Sequence, residues 1–367
     1  SMFPKDAAEY AYTKAALGKM LAFFIGYFVI LSAIISSATV AAGFAGYFSA
    51  LFGIQNLVAI AIVVIIFFSI INILSVKGSS WTNIAFTLME VFGLLLITVL
   101  GFMNWGDVSY IEMPDGFLGV LKGAALVFFA FVGFESVVKL SEECKNPRKT
   151  IPRALLLSIL ITTILYILVA VSAVTILDWQ MLATSKAPLA TAAANVLGDK
   201  AFLLLSVIAL FSTANTVLIS LLAGSRALYG IGKSYLLLKP FTRVHKKFRT
   251  PHFAIIAVML FSILFALIED IGLIAELTNF TLFITFAVIN TAVIVLRYTM
   301  PERKRAFTMP INIGKLPLIS VIGIISCLFL LAQLTMGIIL GGLALAMTGL
   351  LLYLVVIAVE HKGLNQK

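Results

Sequence analysis

The sequence predicts an all-α, polytopic membrane protein. Hydrophobic residues make up 62% of its 367 positions and charged residues only 11%, whereas soluble globular domains are about 45–50% apolar and about 25% charged. Runs of about 20 apolar residues, the length that crosses a bilayer as a helix, recur from one end of the chain to the other. These runs are continuous and do not alternate with polar residues, which argues against a membrane β-barrel.

Hydropathy divides the chain into three parts. Residues 1–17 are amphipathic and too short to span, so they are predicted to lie at the membrane surface. Residues 18–359 form a transmembrane helical domain, and residues 360–367 form a cytoplasmic tail. Residues 43–52 are predicted to form an outer turn or short helix, and the long outer loop 178–200 has room for short helices. Ten spans are predicted, at about 18–42, 56–76, 83–104, 117–140, 154–177, 201–229, 252–269, 277–297, 316–337 and 341–359.

The net charge of +10 is explained by membrane topology and not by nucleic-acid binding. If the N-terminus is cytoplasmic, the outer segments contain only three of the 26 lysines and arginines (Lys122, Lys186 and Lys200), which leaves 23 inside. Basic residues in short loops mark the cytoplasmic side. Both termini are therefore predicted to be cytoplasmic, in a protein of the cell membrane. The sequence has no zinc-ligand spacing, phosphate-binding glycine loop or nucleophile triad, so it predicts neither an enzyme nor a cofactor.

The most informative stretch is the fourth predicted span with the loop that follows it, residues 121–154. Gly133 interrupts the apolar run, and Glu135 follows at membrane depth. A broken helix beside an ionisable group can present backbone groups to a substrate. Glycine is also common as a packing residue in membrane helices, so both interpretations of Gly133 are open. For Glu135 the alternative to a functional role is an ion pair with Lys139 near the cytoplasmic mouth.

Three further polar residues lie inside apolar spans. Glu90, in the third span, has no charged neighbour between Lys77 and Asp107. Burial of a carboxyl group favours its protonated form, which makes Glu90 a candidate carrier of a coupling proton. The alternative is a neutral side chain hydrogen-bonded to a neighbouring helix. Ser212 and Thr213, in the sixth span, either face a site or bond to their own helix, as hydroxyls in membrane helices usually do.

The fourth span and its loop contain three motifs: the run FFAFVGFE at 128–135, the acidic–x–x–Asn–Pro element that ends at Pro147, and the Ile-Pro-Arg start of the next span at 151–153. Together they resemble the sixth helix of the amino acid–polyamine–organocation transporter family and the loop that follows it. The resemblance extends over essentially the whole chain. It also includes Pro4, Tyr10–Tyr12 and Ala16–Gly18, Ser225–Tyr229, Leu296–Arg297, Pro301–Glu302, Arg305–Phe307 and Pro310.

The resemblance implies an amino acid permease with a LeuT-like inverted-repeat fold, in which two five-helix repeats each contribute one broken helix. Family members have twelve helices, and the ten spans correspond to the third through twelfth. The first two helices, including the glycine-rich break of the first repeat, are not represented. This implies either a partner that supplies them or a truncated product. The alternative function is a non-transporting relative that acts as a membrane-embedded sensor or partner subunit.

The resemblance also implies roles for the residues around the break. Phe129 matches a gating aromatic, and Ala130, Phe131, Val132 and Gly133 match positions that line the amino acid pocket. Because the side chains at these positions are uncharged, they favour a neutral amino acid. The expected process is transport by alternating access, as a symporter or an exchanger.

The coupling ion is left open by the resemblance. Glu90 matches a position near a lysine that replaces bound sodium in related transporters, so an acid there leaves proton and sodium as alternatives. Glu135 matches an acid whose protonation could act as a gate. Ser212 and Thr213 match hydroxyls that the family's eighth helix presents to the coupling site. The expected partners are the amino acid, the coupling ion and the lipid bilayer, with no nucleic acid.

Overall fold

The computed structural model of the protein is almost entirely helical. It describes residues 8–74, 80–106, 108–134, 146–303, 305, 307 and 309–364. The α-helices within these ranges are α1 (Ala8–Leu17), α2 (Lys19–Phe52), α3 (Leu57–Leu74), α4 (Ser80–Met103), α5 (Gly116–Val127), α6 (Pro147–Ile176), α7 (Trp179–Thr184), α8 (Pro188–Leu197), α9 (Asp199–Gly232), α10 (His252–Ala266), α11 (Ile271–Thr299), α12 (Leu318–Leu331) and α13 (Met336–Leu364).

The predicted class, an all-α polytopic membrane protein, is confirmed. Within the described ranges, seven helices are long and apolar enough to cross a membrane by length and composition: α2, α3, α4, α6, α9, α11 and α13. The other three predicted spans contain the shorter apolar helices α5, α10 and α12, of 12, 15 and 14 residues. At 1.5 Å per residue these helices are about 18–23 Å long, which is less than the roughly 30 Å thickness of a hydrocarbon core.

The first long helix, α2, extends beyond the predicted first span. The prediction of a separate turn or short helix at residues 43–52 is wrong, because the same helix continues to Phe52 and ends at Gly53 in a left-handed conformation with φ 72°. Small residues let α2 continue past the outer loop that lies between α7 and α8. A Cβ on Gly46 would lie only 2.9 Å from the carbonyl oxygen of Lys186. Only glycine lets α2 and the loop before α8 approach so closely.

The centre of the molecule is occupied by α2. This helix packs against α1, α3, α9, α10, α11 and α13. Its hydroxyl groups are satisfied within the core, since Ser37 lies 2.7 Å from Ser262 of α10, oxygen to oxygen, and Thr39 donates to the carbonyl of Ile35.

Two apolar clusters collect the segments that the predicted topology assigns to opposite sides. The predicted cytoplasmic cluster joins α1, the start of α2, the end of α9 and the end of α13, through Tyr10, Phe23, Tyr235 and Val356 among others. There Tyr10 donates its hydroxyl hydrogen to Tyr235 at 3.3 Å. Burial, together with this neighbouring hydroxyl, raises the pKa of Tyr235 well above its usual range, so its phenol is neutral at physiological pH.

The predicted outer cluster joins the C-terminal halves of α4 and α6 to α8 and the start of α9. The prediction that the loop 178–200 carries short helices is confirmed by α7 and α8. A feature that the sequence does not predict lies between α11 and α12. There β1 (Asn312–Ile313) pairs antiparallel with β2 (Leu316–Pro317), around Gly314 at φ 62°.

Candidate substrate site at a broken helix

The fourth predicted span is interrupted next to Gly133. The helix α5 ends at Val127, and residues Phe128–Phe131 form one turn of 3-10 helix. Val132 is extended, with φ −62° and ψ 132°, and Gly133 has φ 117°. Among the residues that the structure describes, no atom lies within 4 Å of the position that a Cβ on Gly133 would occupy. The glycine is therefore needed for its backbone angle and not for close packing, and the helix break that the sequence predicts is present.

Two side chains from other helices hold carbonyl groups beside the break. Asn279 of α11 donates from Nδ2 to the carbonyl oxygens of Ala125 at 2.7 Å and Leu126 at 3.0 Å. Tyr166 of α6 donates its hydroxyl hydrogen to the carbonyl oxygen of Ala130 at 2.8 Å. Backbone groups without partners cost several kcal/mol each at membrane depth. These donors therefore stabilise the helix break, because they pair carbonyl groups that would otherwise lack a hydrogen-bond partner at membrane depth.

Aromatic rings pack the break against α11. The ring of Phe128 lies 4.9 Å from that of Phe283, centroid to centroid, and the ring of Phe134 lies 5.7 Å from that of Phe286. Phe283 and Phe286 are three residues apart, on one face of α11. The rings therefore pack the break from the side of α11, and Gly133 itself is exposed.

The five residues predicted to line the substrate pocket are adjacent and differ in exposure. The ring of Phe131 meets that of Tyr166 edge-on at 5.2 Å, so α6 contacts the break through both a ring and a hydroxyl. Ala130 and Gly133 are exposed, whereas Phe129, Phe131 and Val132 are half-buried.

Asn279 is the site residue that the sequence does not identify by pattern or resemblance. It is fully buried, and its Oδ1 atom has no hydrogen-bond partner in the part of the chain that the structure describes. The available signal is an amide side chain inside an otherwise apolar span, since such residues need a partner at membrane depth. That signal identifies the residue but not the carbonyl groups it bonds.

Glu90 is half-buried on α4, at the level of residues 208–211 of α9. On one side of it, the ring of Phe86 stacks on that of Phe211 at 5.6 Å. On the other side, Ile208 packs so closely on Gly93 that a Cβ there would lie 2.9 Å from it. The carboxyl group is thereby held within the membrane-spanning part of the molecule, as the sequence predicts from its apolar surroundings.

Ser212 and Thr213 directly follow the α9 residues that contact α4, so they lie close to the level of Glu90. Thr213 donates its hydroxyl hydrogen to the carbonyl oxygen of Ala209 at 2.7 Å, within its own helix. This is the alternative that the sequence left open for such hydroxyls. A hydroxyl that donates in this way keeps its oxygen lone pairs for a cation.

The two polar regions lie on neighbouring helices. Tyr166, which donates to Ala130 at the break, belongs to α6, and α6 packs against α4, the helix that carries Glu90. Glu135 and the loop motif at 135–145 lie outside the described residues. Within those that are described, no three histidine, cysteine or acidic side chains are grouped as metal ligands.

Comparison with known proteins identifies the family. The sequence model of the amino acid permease family matches residues 1–359. The chain is 28% identical over 391 aligned residues to a branched-chain amino acid permease of Bacillus subtilis (strain 168), an alignment that covers 100% of this chain and 82% of that protein. It is 29% identical to a methylthioribose transporter of the same organism, with 91% of this chain and 76% of that protein covered.

A human protein, cationic amino acid transporter 4, is 28% identical over 80% of this chain, and the match covers half of its own length. All three relatives are transporters and none is an enzyme. Their family has the LeuT-like inverted-repeat fold, to which the helices and the break described above correspond. The chain therefore belongs to the amino acid permease family, within the amino acid–polyamine–organocation transporters, and is a multi-pass membrane protein that transports amino acids.

Proposed function

We propose that the protein carries a neutral amino acid across the cytoplasmic membrane by alternating access around residues 128–133, with a proton carried by Glu90 as the coupling ion. The observation that supports this best is the broken helix, whose carbonyl groups are held at membrane depth by Asn279 and Tyr166. Such a site binds and releases a substrate without a covalent step, because it offers oriented backbone dipoles and no nucleophile.

The substrate proposal follows from the chemistry of the break. Carbonyl oxygens accept hydrogen bonds, so those of residues 128–133 suit the ammonium group of an amino acid. The side chains of Phe129, Ala130, Phe131 and Val132 carry no charge, and a charged substrate side chain would meet no partner among them. The match to a branched-chain amino acid permease, which covers 100% of this chain and 82% of that protein, supports an apolar substrate.

The coupling proposal follows from the position of Glu90. A charged carboxylate at the bilayer centre costs about 2.5–3.5 kcal/mol on the insertion scale, a cost that a bound proton would remove. Proton uptake on one side and release on the other would link its charge to the transport cycle. Glu135 keeps its proposed role as a gate, and Ser212 and Thr213 are the oxygen ligands that a sodium ion would use instead.

The test is uptake of labelled leucine into proteoliposomes, with and without an inward pH gradient and, separately, a sodium gradient. We expect the pH gradient to stimulate uptake. Glu90→Gln should still transport but lose the response to pH, because glutamine mimics the protonated acid and cannot ionise. Glu112→Gln, the same substitution at an exposed outer residue, is the matched control and should keep the response.

The possible outcomes separate the alternatives. Folded protein that takes up no amino acid under any gradient would refute the transport proposal and favour a sensor or partner subunit. Stimulation by sodium alone would replace the proton by sodium. A normal pH response in Glu90→Gln would remove Glu90 from the coupling step.

A further inference from the structure

We propose that Tyr166 is a positioning residue that transmits the charge state of Glu90 to the broken helix, because its single hydroxyl hydrogen is shared between two competing acceptors. One acceptor is the carbonyl oxygen of Ala130 at the break, and the other is the carboxylate of Glu90. This inference rests on the proposed function, in which Glu90 gains and loses a proton.

Tyr166 is fixed to the break at two adjacent residues. Its hydroxyl donates to Ala130 at 2.8 Å, and its ring meets the ring of Phe131 edge-on at 5.2 Å. A tyrosine hydroxyl carries one hydrogen and can donate only one strong hydrogen bond at a time. Any stronger acceptor within reach must therefore take that hydrogen away from Ala130.

The packing of α4 on α6 places Glu90 and Tyr166 on neighbouring helices. The C-terminal halves of the two helices share one apolar cluster, so the helices run in the same direction. They touch where Ser172 packs on Gly101 and leaves no room for a Cβ there. At 1.5 Å per residue, Glu90 lies about 17 Å along α4 before Gly101, and Tyr166 lies about 9 Å along α6 before Ser172. The two Cα atoms therefore differ in level by about 8 Å, and a long side chain such as that of Tyr166 leans toward the N-terminus of its helix, which is the direction of Glu90.

The other ionisable groups on the helices that contact α4 lie much farther along their helices. These helices are α6, α8 and α9, and Glu90 lies beside residues 208–211 of α9. At 1.5 Å per residue, the nearest charged residues of α9 are about 12 Å and about 22 Å away along its axis. No residue of α8 ionises. The described ionisable residues on these helices are Lys149, Arg153 and Tyr166 of α6, and Asp199, Lys200, Arg226 and Tyr229 of α9.

The charge of Glu90 decides which acceptor holds the hydrogen. The structure shows Tyr166 donating to Ala130, and we assign this arrangement to protonated Glu90, which is a weak acceptor. When Glu90 is ionised, the charge-assisted hydrogen bond to a carboxylate is the stronger one, and Tyr166 turns away from the break. Tyr166 stays neutral throughout, and the only proton transferred is the one that Glu90 exchanges with water.

The consequence is a thermodynamic link between proton and amino acid. Protonated Glu90 leaves the break held in the shape described above, so the amino acid binds more tightly when Glu90 carries its proton. Linkage requires the converse to the same degree: bound amino acid strengthens proton binding by Glu90. Tyr166 thus makes the two ligands cooperative, as a symporter requires.

The decisive experiment is the pH dependence of the half-saturation concentration for leucine uptake in Tyr166→Phe. This variant keeps the ring against Phe131 and removes only the hydroxyl. We expect a half-saturation concentration raised about threefold to tenfold at low pH, the usual effect of one lost hydrogen bond, and no further rise as pH increases. Tyr110→Phe is the matched control. The hydroxyl of Tyr110 lies 2.9 Å from that of Thr175, which belongs to α6 like Tyr166 but is nine residues farther along the helix, away from the break. This control should keep the wild-type profile.

A double variant separates a shared action from two independent ones. If Tyr166 acts through Glu90, then Glu90→Gln combined with Tyr166→Phe will be no more impaired than the more severe single variant. Effects that multiply, or a wild-type pH profile in Tyr166→Phe, would overturn the inference. Should Tyr166→Phe not fold, Glu90→Asp tests the same link. Its carboxyl group still ionises but is withdrawn from Tyr166, so we expect the half-saturation concentration to lose its pH dependence, and a normal profile would count against the inference.

The two proposals fail in different ways. Absence of uptake by the folded wild-type protein would refute the proposed function itself. Uptake that responds to pH in the wild type, and responds identically in Tyr166→Phe, would refute only the role of Tyr166.

Discussion

At the scale of single residues, the break depends on the backbone angle of Gly133. A residue with a Cβ at φ 117° is held in a sparsely populated conformation that costs about 1–3 kcal/mol. No atom of the described residues lies within 4 Å of a Cβ at this position, so a methyl group there does not clash with any of them. We therefore expect Gly133→Ala to lower the thermal unfolding temperature in detergent and to raise the half-saturation concentration for uptake, through backbone strain alone.

The matched control for this prediction is Gly123→Ala. Gly123 lies inside α5, also has open space around it, and does not have a positive φ. Alanine is favoured over glycine in a helix by up to about 1 kcal/mol, so this variant should be as stable as the wild type or more stable. Equal losses in the two variants would mean that the angle at Gly133 is not what shapes the break.

Single residues also show how far the sequence can predict the site. The break at Gly133 was predictable mainly from the resemblance to the family's sixth helix, because a glycine in an apolar run is also compatible with close packing. The two donors that hold the break were not predictable. Asn279 bonds a residue 154 positions away along the chain, and Tyr166 bonds one 36 positions away. A single sequence carries the need of a buried amide for a partner but not the identity of that partner.

At the scale of secondary-structure elements, α11 and α5 are joined by the side chain of Asn279. Asn279→Leu keeps roughly the same volume and removes two hydrogen bonds to α5. It also removes the buried Oδ1 atom, which partly offsets the loss. We expect a net destabilisation of about 1–3 kcal/mol, measured as thermal or denaturant unfolding in detergent, together with a higher half-saturation concentration for uptake.

A second asparagine on α11 provides the control for this element. The Nδ2 of Asn290 donates at 2.9 Å to the carbonyl oxygen of Phe286, within α11 itself. Asn290→Leu should therefore leave the α5–α11 contact and the half-saturation concentration unchanged. A similar rise in half-saturation concentration for both variants would contradict the role of Asn279 in joining the two helices.

The boundaries of the elements were harder to predict than their number and type. Hydropathy measures how long a segment stays apolar, and it does not register whether the backbone stays helical. For this reason the fourth span was predicted as one run at 117–140, although α5 ends at Val127. For the same reason α2 continues ten residues past the predicted end of its span, since the small residues of 43–52 remain helical.

At the scale of the whole molecule, loops that the charge pattern assigns to one side are found at one end of the structure. The cluster that includes Tyr10 and Tyr235 collects predicted cytoplasmic segments, and the cluster that includes Ala190 and Ala193 collects predicted outer ones. This could be anticipated because the positive-inside rule acts on each loop independently, so the nine loops between ten spans give nine constraints. The clusters show which segments share an end, while the direction of insertion into the membrane is a further prediction.

Cysteine labelling tests that direction. In a background with Cys144 and Cys327 replaced by serine, Lys186→Cys and Lys246→Cys place single thiols at two exposed positions. The two positions lie before and after α9, whose 34 residues extend about 51 Å, more than the thickness of a hydrocarbon core. An impermeant maleimide added to right-side-out vesicles should label Lys186→Cys at once, and Lys246→Cys only after permeabilisation. The reverse pattern would mean inverted insertion, and equal labelling of both without permeabilisation would mean that α9 does not cross the membrane.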